Sequence, residues 1–246
     1  MIGAVTRIPL FAGMSPQLIR GIANAAGHRI ADANETIYWQ GDEPDALYFV
    51  ASGHVRLAIA SPEGDEKVID IVSAGRHFGL ADLFSAASYA SFAEAVAPTK
   101  LIEIDKDALL SAVATDRELS LRLLRALADQ YASVERDLAA SHFESVTRRL
   151  LNYLLAQAGD LRWANGECEL ELAVSKRHIA SRLGTTAESL SRAFRELSEI
   201  GLIRVRGRRV VFLDSPILRS GGRAALAHRA PRRSAAARPG GGDEDA

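Results

Sequence analysis

The stretch KRHIASRLGTTAESLSRAFRELSEIG, Lys176 to Gly201, constrains this chain more than any other. Two short helices that meet at a tight turn need a small residue where they touch, glycine or a similar residue at the turn, and apolar anchors on both sides. Ala180 supplies the contact and Gly184 the turn, while Ile179, Leu183, Leu190, Ala193 and Leu197 supply the anchors. The spacing predicts a helix-turn-helix.

Thr185 or Thr186 can cap the second helix, and Glu188 stands three residues after Thr185, as in a capping box. Leu190, Phe194 and Leu197 follow helical spacing and form its buried side. Glu188, Ser191, Arg192 and Arg195 are left on the opposite side. Arginine can bond guanine O6 and N7 together, glutamate accepts from cytosine N4, and serine serves several bases, so this edge suits a major groove. The plainer alternative is that Glu188 only closes the capping box and the arginines form a solvated face. The next segment weighs against it: Leu202–Leu213, LIRVRGRRVVFL, reads as two strands turning at Gly207 and carries Arg204, Arg206, Arg208 and Arg209. A basic hairpin directly after a recognition helix is placed as a wing that holds phosphates. Arg195, Lys176 and Thr186 join the wing arginines as expected DNA-backbone contacts.

The fragment IASRLGTTAESLSRAFRELSEIGLI resembles the winged-helix region of the cyclic-AMP receptor protein and FNR superfamily of bacterial regulators. Glu188, Ser191 and Arg192 fall on the E-x-x-S-R pattern of its FNR-like branch. The resemblance implies base contacts from these three to a palindrome of TTGAT-type half-sites, double-stranded DNA and a second copy of the chain as partners, and RNA polymerase as a further one.

The net charge of −1 conceals a split. Residues 1–142 hold 12 Lys+Arg against 19 Asp+Glu, a balance of −7. Residues 143–214 hold 12 against 9 and residues 215–246 hold 6 against 3, each +3. A protein that coats nucleic acid along its whole length is basic throughout, whereas here the basic share travels with the helix-turn-helix. The single cysteine, Cys168, excludes an intramolecular disulfide framework. With no apolar run of membrane-span length and no export signal at the N-terminus, a soluble cytoplasmic protein with no membrane partner is expected.

The first half reads as an antiparallel β-domain. After a short helix over about Pro16–Ala26, strands are expected at Glu35–Trp39, Ala46–Ser52, His54–Ile59, Lys67–Val72 and Lys100–Ile104, separated by glycine- and proline-bearing turns. IYWQGDEPDALYFVASGHVRLAI followed by HFGLADLF resembles the layout of the cyclic-nucleotide-binding β-roll. In that family a glutamate holds the ribose and an arginine the cyclic phosphate. Here Leu80 follows Phe78-Gly79, and no Lys or Arg stands between Arg76 and Lys100. A buried phosphodiester needs a charge partner or dense donors, so a cyclic nucleotide is not expected.

One cysteine cannot hold an iron–sulfur cluster, which needs about four thiolates. The layout, including the PEG-x-EK hairpin at Pro62–Lys67, resembles the DNR and NnrR type regulators, which implies haem as a nitric-oxide sensor. On that reading His77, Phe78, Gly79, Leu80, Tyr89, Ser91 and His28 mark the effector pocket, with His77 and His28 as axial candidates.

TDRELSLRLLRALADQYASVERDLA, about Thr115–Ala139, predicts one long helix. Leu124, Leu127, Tyr131, Val134 and Leu138 alternate steps of three and four, the seam of a dimer. Leu119, Leu121 and Leu123 widen the apolar surface so that its upper part packs on the β-roll. A further helix is expected over about Phe143–Leu161, and a strand at Glu167–Leu172.

The expected architecture is therefore α+β: a jelly-roll-like β-roll sensor (1–114), a dimerisation helix (115–142), a winged helix-turn-helix (143–214) and a disordered basic tail (215–246). It describes a homodimeric transcription regulator and no enzyme. Two other classes are a constitutive regulator whose β-roll only mediates interaction, and a β-roll metalloenzyme, which needs H-x-H or H-x-E groupings that the strands lack.

Overall fold

The computed structural model describes residues 1–85, 87–158 and 167–214. The chain opens with α1 (Ile2–Val5), a 3-10 turn at Pro9–Phe11 and α2 (Pro16–Asn24). Ser15 caps α2 by accepting from the Leu18 amide at 3.2 Å. Then follow β1 (Ala26–Ala31), β2 (Thr36–Tyr38), β3 (Ala46–Ser52), β4 (His54–Ala60), β5 (Glu66–Ser73), β6 (His77–Phe78), α3 (Leu80–Ser85), β7 (Phe92–Ala95) and β8 (Thr99–Asp105).

These strands make two antiparallel four-stranded sheets, ordered β1-β8-β3-β6 and β2-β7-β4-β5. Alternation along each strand sends one set of side chains between the sheets and the other outward. Tyr38, Tyr48, Val50, Val55, Val72, Phe78, Tyr89 and Leu101 fill the space between them. Phe49, Leu47, Ile102 and Ile104 on the outer face of the first sheet pack with Val5, Ile8, Phe11, Ile19 and Ile22 of the N-terminal segment.

α4 (Lys106–Thr115) leads into α5 (Arg117–Phe143), a helix of 27 residues. Asp116 caps α5 by accepting from the Leu119 amide at 2.8 Å. Leu119 and Leu123 are buried on the β-roll side, as expected, but Leu121 is not: it lies on the exposed side of the same turns. Leu124, Tyr131, Val134 and Leu138 are each about 60% or more exposed, whereas Leu127 packs partly against the β-roll core. No helix among the described residues is long and apolar enough to cross a membrane.

α6 (Val146–Ala158), β9 (Glu167–Glu171), α7 (Lys176–Arg182), α8 (Ala187–Glu199), β10 (Ile203–Arg206) and β11 (Arg209–Leu213) form the C-terminal unit. Its sheet runs β10-β11-β9, all antiparallel. The core of this unit, built on Leu150, Leu154, Ile179, Leu190, Phe194 and Phe212, is continuous with Ala58, Val68, Ile71 and Phe92 on the outer face of the second β-roll sheet.

All five strands expected in the first half are present, with ends moved by a residue or so. The sequence reading omitted β1, β6, β7, α1, α3 and α4. The tail at 215–246 and the end of the helix expected to reach Leu161 lie outside the described residues.

Candidate nucleic-acid interface

α7 and α8 meet as a helix-turn-helix because three local requirements coincide. Ser175 caps α7 and Thr186 caps α8, the latter accepting from the Ser189 amide at 3.1 Å. Gly184 at the turn has φ +62°, the left-handed region open to glycine without strain. Ala180, 3% exposed, lets the helices approach, while Leu190, Ala193, Phe194 and Leu197 bury one face of α8.

The capping box read from Thr185 and Glu188 does not form. Thr186 is the cap, so Ser189 occupies the third helical position and Glu188 the second, too early to reach back. Glu188 instead pairs with Arg192 one turn on, at 3.3 Å, both side chains well exposed. Ser191 and Arg195 are exposed on the same side, and the Ser191 hydroxyl donates to the Ala187 carbonyl at 2.8 Å. The polar edge therefore faces solvent as a set.

The wing arginines divide in two. Arg204 pairs with Glu167 at 3.2 Å and Arg209 with Glu169 at 3.3 Å, both across the small sheet. Arg208 donates from Nε and Nη2 to the Leu172 carbonyl at 3.1 and 2.9 Å and from Nη2 to the Ala173 carbonyl at 2.7 Å, bracing the wing against the entry to α7. Arg206 is exposed with no ion pair or side-chain hydrogen bond among the described residues. The Lys176 ammonium lies 4.9 Å from the Phe194 ring centroid, a cation–π contact that ties α7 to α8.

A clamp from the β-roll holds the turn, and sequence reasoning missed it. Lys67 of β5 donates to the Ser181 carbonyl, and the Ser181 hydroxyl accepts from the Val68 amide at 2.9 Å. From α6, Arg149 donates to the Leu183 carbonyl at 2.6 Å. Two cations thus satisfy carbonyls left open at the C-terminus of α7, where the helix dipole favours positive charge. Burial and the neighbouring Arg182 and Arg149 lower the Lys67 pKa. Nearby, Arg56 is buried with a two-point bond to Glu94 at 2.8 and 3.0 Å, a third contact to Glu66 at 2.6 Å, and Phe92 beneath its guanidinium at 5.0 Å. The PEG-x-EK motif that ends at Lys67 was the available signal, but nothing in its local pattern says what lies 114 residues away.

The expected effector residues do not line one pocket. Phe78, Tyr89 and Ser91 are buried in the β-roll, where Tyr89 stacks on Tyr38 with centroids 3.6 Å apart and Tyr48 on Phe78 at 5.1 Å. Burial, followed by the Asp45 charge, pushes the Tyr89 pKa up to about 12. Leu80 belongs to the core outside the first sheet, and Gly79 bridges the two at φ +83°. His28, Ile102, Phe49 and His77 lie on one rung across β1, β8, β3 and β6, so the two histidines share a sheet face. Three strand spacings separate them, roughly 14 Å. His77 borders a cleft with Arg76, Arg122 and Arg125, and His28 a second cleft with Arg7. Among the described residues no group of three or more His, Cys, Asp or Glu gathers as a metal site would.

Residues 28–116 match the cyclic nucleotide-binding domain family, and residues 148–220 match the Crp-like helix-turn-helix domain family. The chain belongs to the Crp/FNR family of transcription regulators. The CRP-like cAMP-activated global transcriptional regulator of Mycobacterium tuberculosis is 26% identical over 86% of this chain and 95% of its own. The cyclic AMP receptor protein of Thermus thermophilus is 27% identical over 80% of this chain and 88% of its own. In fold, FixK2 from Bradyrhizobium japonicum matches with a TM-score of 0.71, at 24% identity over 81% of this chain and 98% of that one. The matched domains are those of a regulator that binds DNA through its helix-turn-helix, and the relatives are regulators and not enzymes.

Proposed function

We propose that this Crp/FNR regulator works as a homodimer on a palindromic DNA site, with Glu188, Ser191 and Arg192 reading bases and Arg195, Arg204, Arg206, Arg209, Lys176 and Thr186 meeting the backbone. The observation that carries the reading is the exposed polar edge of α8, set opposite a fully buried apolar face and beside the wing. Two copies joined along Leu124, Tyr131, Val134 and Leu138 of α5 would present two such edges to one duplex. In this arrangement Arg208 positions the wing through its carbonyl bonds and contributes to DNA contact indirectly.

On this reading the signal received at the β-roll is something other than a cyclic nucleotide. The space between the sheets is occupied by Tyr38, Tyr48, Phe78 and Tyr89, each 5% exposed or less, and no Lys or Arg lies between Arg76 and Lys100 to hold a phosphate. Haem does not fit the described residues either. His28 and His77, the two axial candidates, stand three strands apart on the sheet and are too far from each other to share an iron. No step is therefore routed through haem.

The test is operator binding by the full chain on a TTGAT-type palindrome. Arg192→Ala is expected to cost about 1–3 kcal/mol and to relax preference at one base pair of each half-site. Equal loss on every sequence would show that Arg192 contacts only phosphate, and no loss at all would remove α8 from the interface.

A further inference from the structure

The turn from β5 to β6, with Gly75 and Arg76, and His77 at the start of β6 face the first half of α5 across a cleft of about 360 Å³. Arg122 and Arg125 of α5 complete its basic wall, with Pro9 and Leu10 beside them and Asp129 as the one carboxylate in the lining. Among the described residues Arg125 makes no ion pair or side-chain hydrogen bond, and the His77 ring no hydrogen bond. Arg122 is held in place, with Nε on Glu118 at 3.1 Å and Nη1 donating to the Ala12 carbonyl. Burial, then the charge of Arg76, lowers the His77 pKa, so at neutral pH the ring offers one donor and one acceptor.

Arg76 is the side of this cleft that connects elsewhere. It donates to Asp70 Oδ2 at 3.0 Å and to the Ile71 carbonyl at 3.3 Å. The other oxygen of Asp70 lies 3.9 Å from Arg182 Nε in α7, and Arg182 pairs with Asp137 of α5 at 2.5 Å. Asp70 is therefore shared between a cleft arginine and the helix-turn-helix. The strand that bears it, β5, also supplies Lys67 and Val68 to the clamp on Ser181, one turn before the α8 N-terminus.

We propose that this cleft is the effector site, that it takes a small anion bearing carboxylate or phosphate groups on Arg125, Arg122, His77 and Arg76, and that Asp70 transmits its occupancy to α7. An anion that draws Arg76 away leaves Asp70 to Arg182 and to the Ile71 amide, which donates to the same oxygen at 2.8 Å, and so tightens the hold of β5 on α7 and lowers operator affinity. The proposal rests on the reading of the β-roll as the receiver of the signal.

The test uses the full chain with sodium phosphate and sodium succinate as separate probes, at ionic strength matched with sodium chloride. Thermal melting without DNA reports the cleft, and operator binding reports the coupling. A saturable rise in Tm with phosphate alone assigns the phosphate class, with succinate alone the carboxylate class, and with both a shared anion site. The bound anion is expected to weaken operator binding on the order of fivefold, and Arg125→Gln to weaken anion binding about tenfold. Asp70→Asn is expected to keep anion binding while operator affinity stops responding. The proposal is overturned if neither anion raises Tm beyond chloride, if Arg125→Gln binds like the parent, or if Asp70→Asn responds like the parent. Failure of the parent to bind the operator in any condition would refute the DNA reading separately, with the melting titration still deciding the cleft.

Discussion

Tyr89→Ala tests whether the β-roll is closed by its own side chains. The Tyr89 ring is 1% exposed, lies within 8° of parallel to Tyr38, and its hydroxyl donates to the Ala46 carbonyl at 3.3 Å or to Asp45 at 3.2 Å. Truncating a fully buried aromatic costs about 3–5 kcal/mol, of which the stacked pair accounts for roughly 1 kcal/mol. Tyr89→Phe keeps the ring and removes only the hydroxyl, for about 1 kcal/mol. The pair of variants thus separates packing from hydrogen bonding. Urea unfolding followed by circular dichroism measures both, at fixed protein concentration because a dimer's apparent stability depends on it. At about 2–4 °C per kcal/mol for a chain of this size, Tyr89→Ala should lower Tm by roughly 6–20 °C. A loss below about 1 kcal/mol for the alanine variant would mean that the interior collapses freely or holds room for a ligand. Equal losses for both variants would place the stability in the hydroxyl, and the aromatic argument would fail.

Arg206→Ala is expected to weaken all DNA sequences alike and to reduce the salt slope of binding by about 1, with Tm unchanged, while Arg208→Ala should lower Tm as well because its guanidinium braces two carbonyls. Tyr131→Asp, in the exposed part of the α5 seam, should shift the protein to monomers in analytical ultracentrifugation and abolish tight operator binding; an unchanged dimer would move the interface elsewhere. Burial lowers the pKa of His54, His77 and His178 below the usual value of about 6.5, and the His178 Nδ1 is buried without a partner, with Arg56 beside it. Because the folded state favours the neutral rings, their contribution to stability is whole above that value and is lost as pH falls through it towards the lowered folded values. Tm should therefore drop between about pH 7.5 and 5.5 and drop less in His178→Gln, whereas a flat profile would contradict the assignment.

The C-terminal half was legible because its signals are local. A cap, a turn glycine and helical spacing all fall within Lys176–Gly201, and within that stretch the structure settles which threonine caps α8. The β-roll showed the strands whose alternation is regular and hid β1, β6 and β7. β6 has two residues, β7 has four, and β1 carries glycine, histidine and arginine in succession, with His28 and Ile30 exposed and Gly27 and Arg29 half-buried. The apolar stripe of α5 was readable in periodicity, and Leu124, Tyr131, Val134 and Leu138 stand exposed along it, but Leu127 turns partly inward since a straight helix drifts from a strict heptad. Hidden altogether were contacts between residues far apart in the chain, such as Lys67 with Ser181 and Asp70 with Arg182, because a charged residue on an isolated strand looks solvated until a distant element is laid against it. The grouping of effector residues failed for a related reason: His77 and Phe78, neighbours in sequence, point to opposite sides of a sheet.

On the proposed reading of α8, the ion pair between Glu188 and Arg192 carries a kinetic expectation. With Glu188 one turn away offsetting its charge, Arg192 should gain somewhat less from stray phosphates than a lone arginine, so this edge of α8 should hold random duplex less firmly. Only where a cytosine amine and a guanine edge stand in register can both members of the pair change partners together. The two side chains proposed to recognise a target would thereby also shorten the time spent on every wrong one.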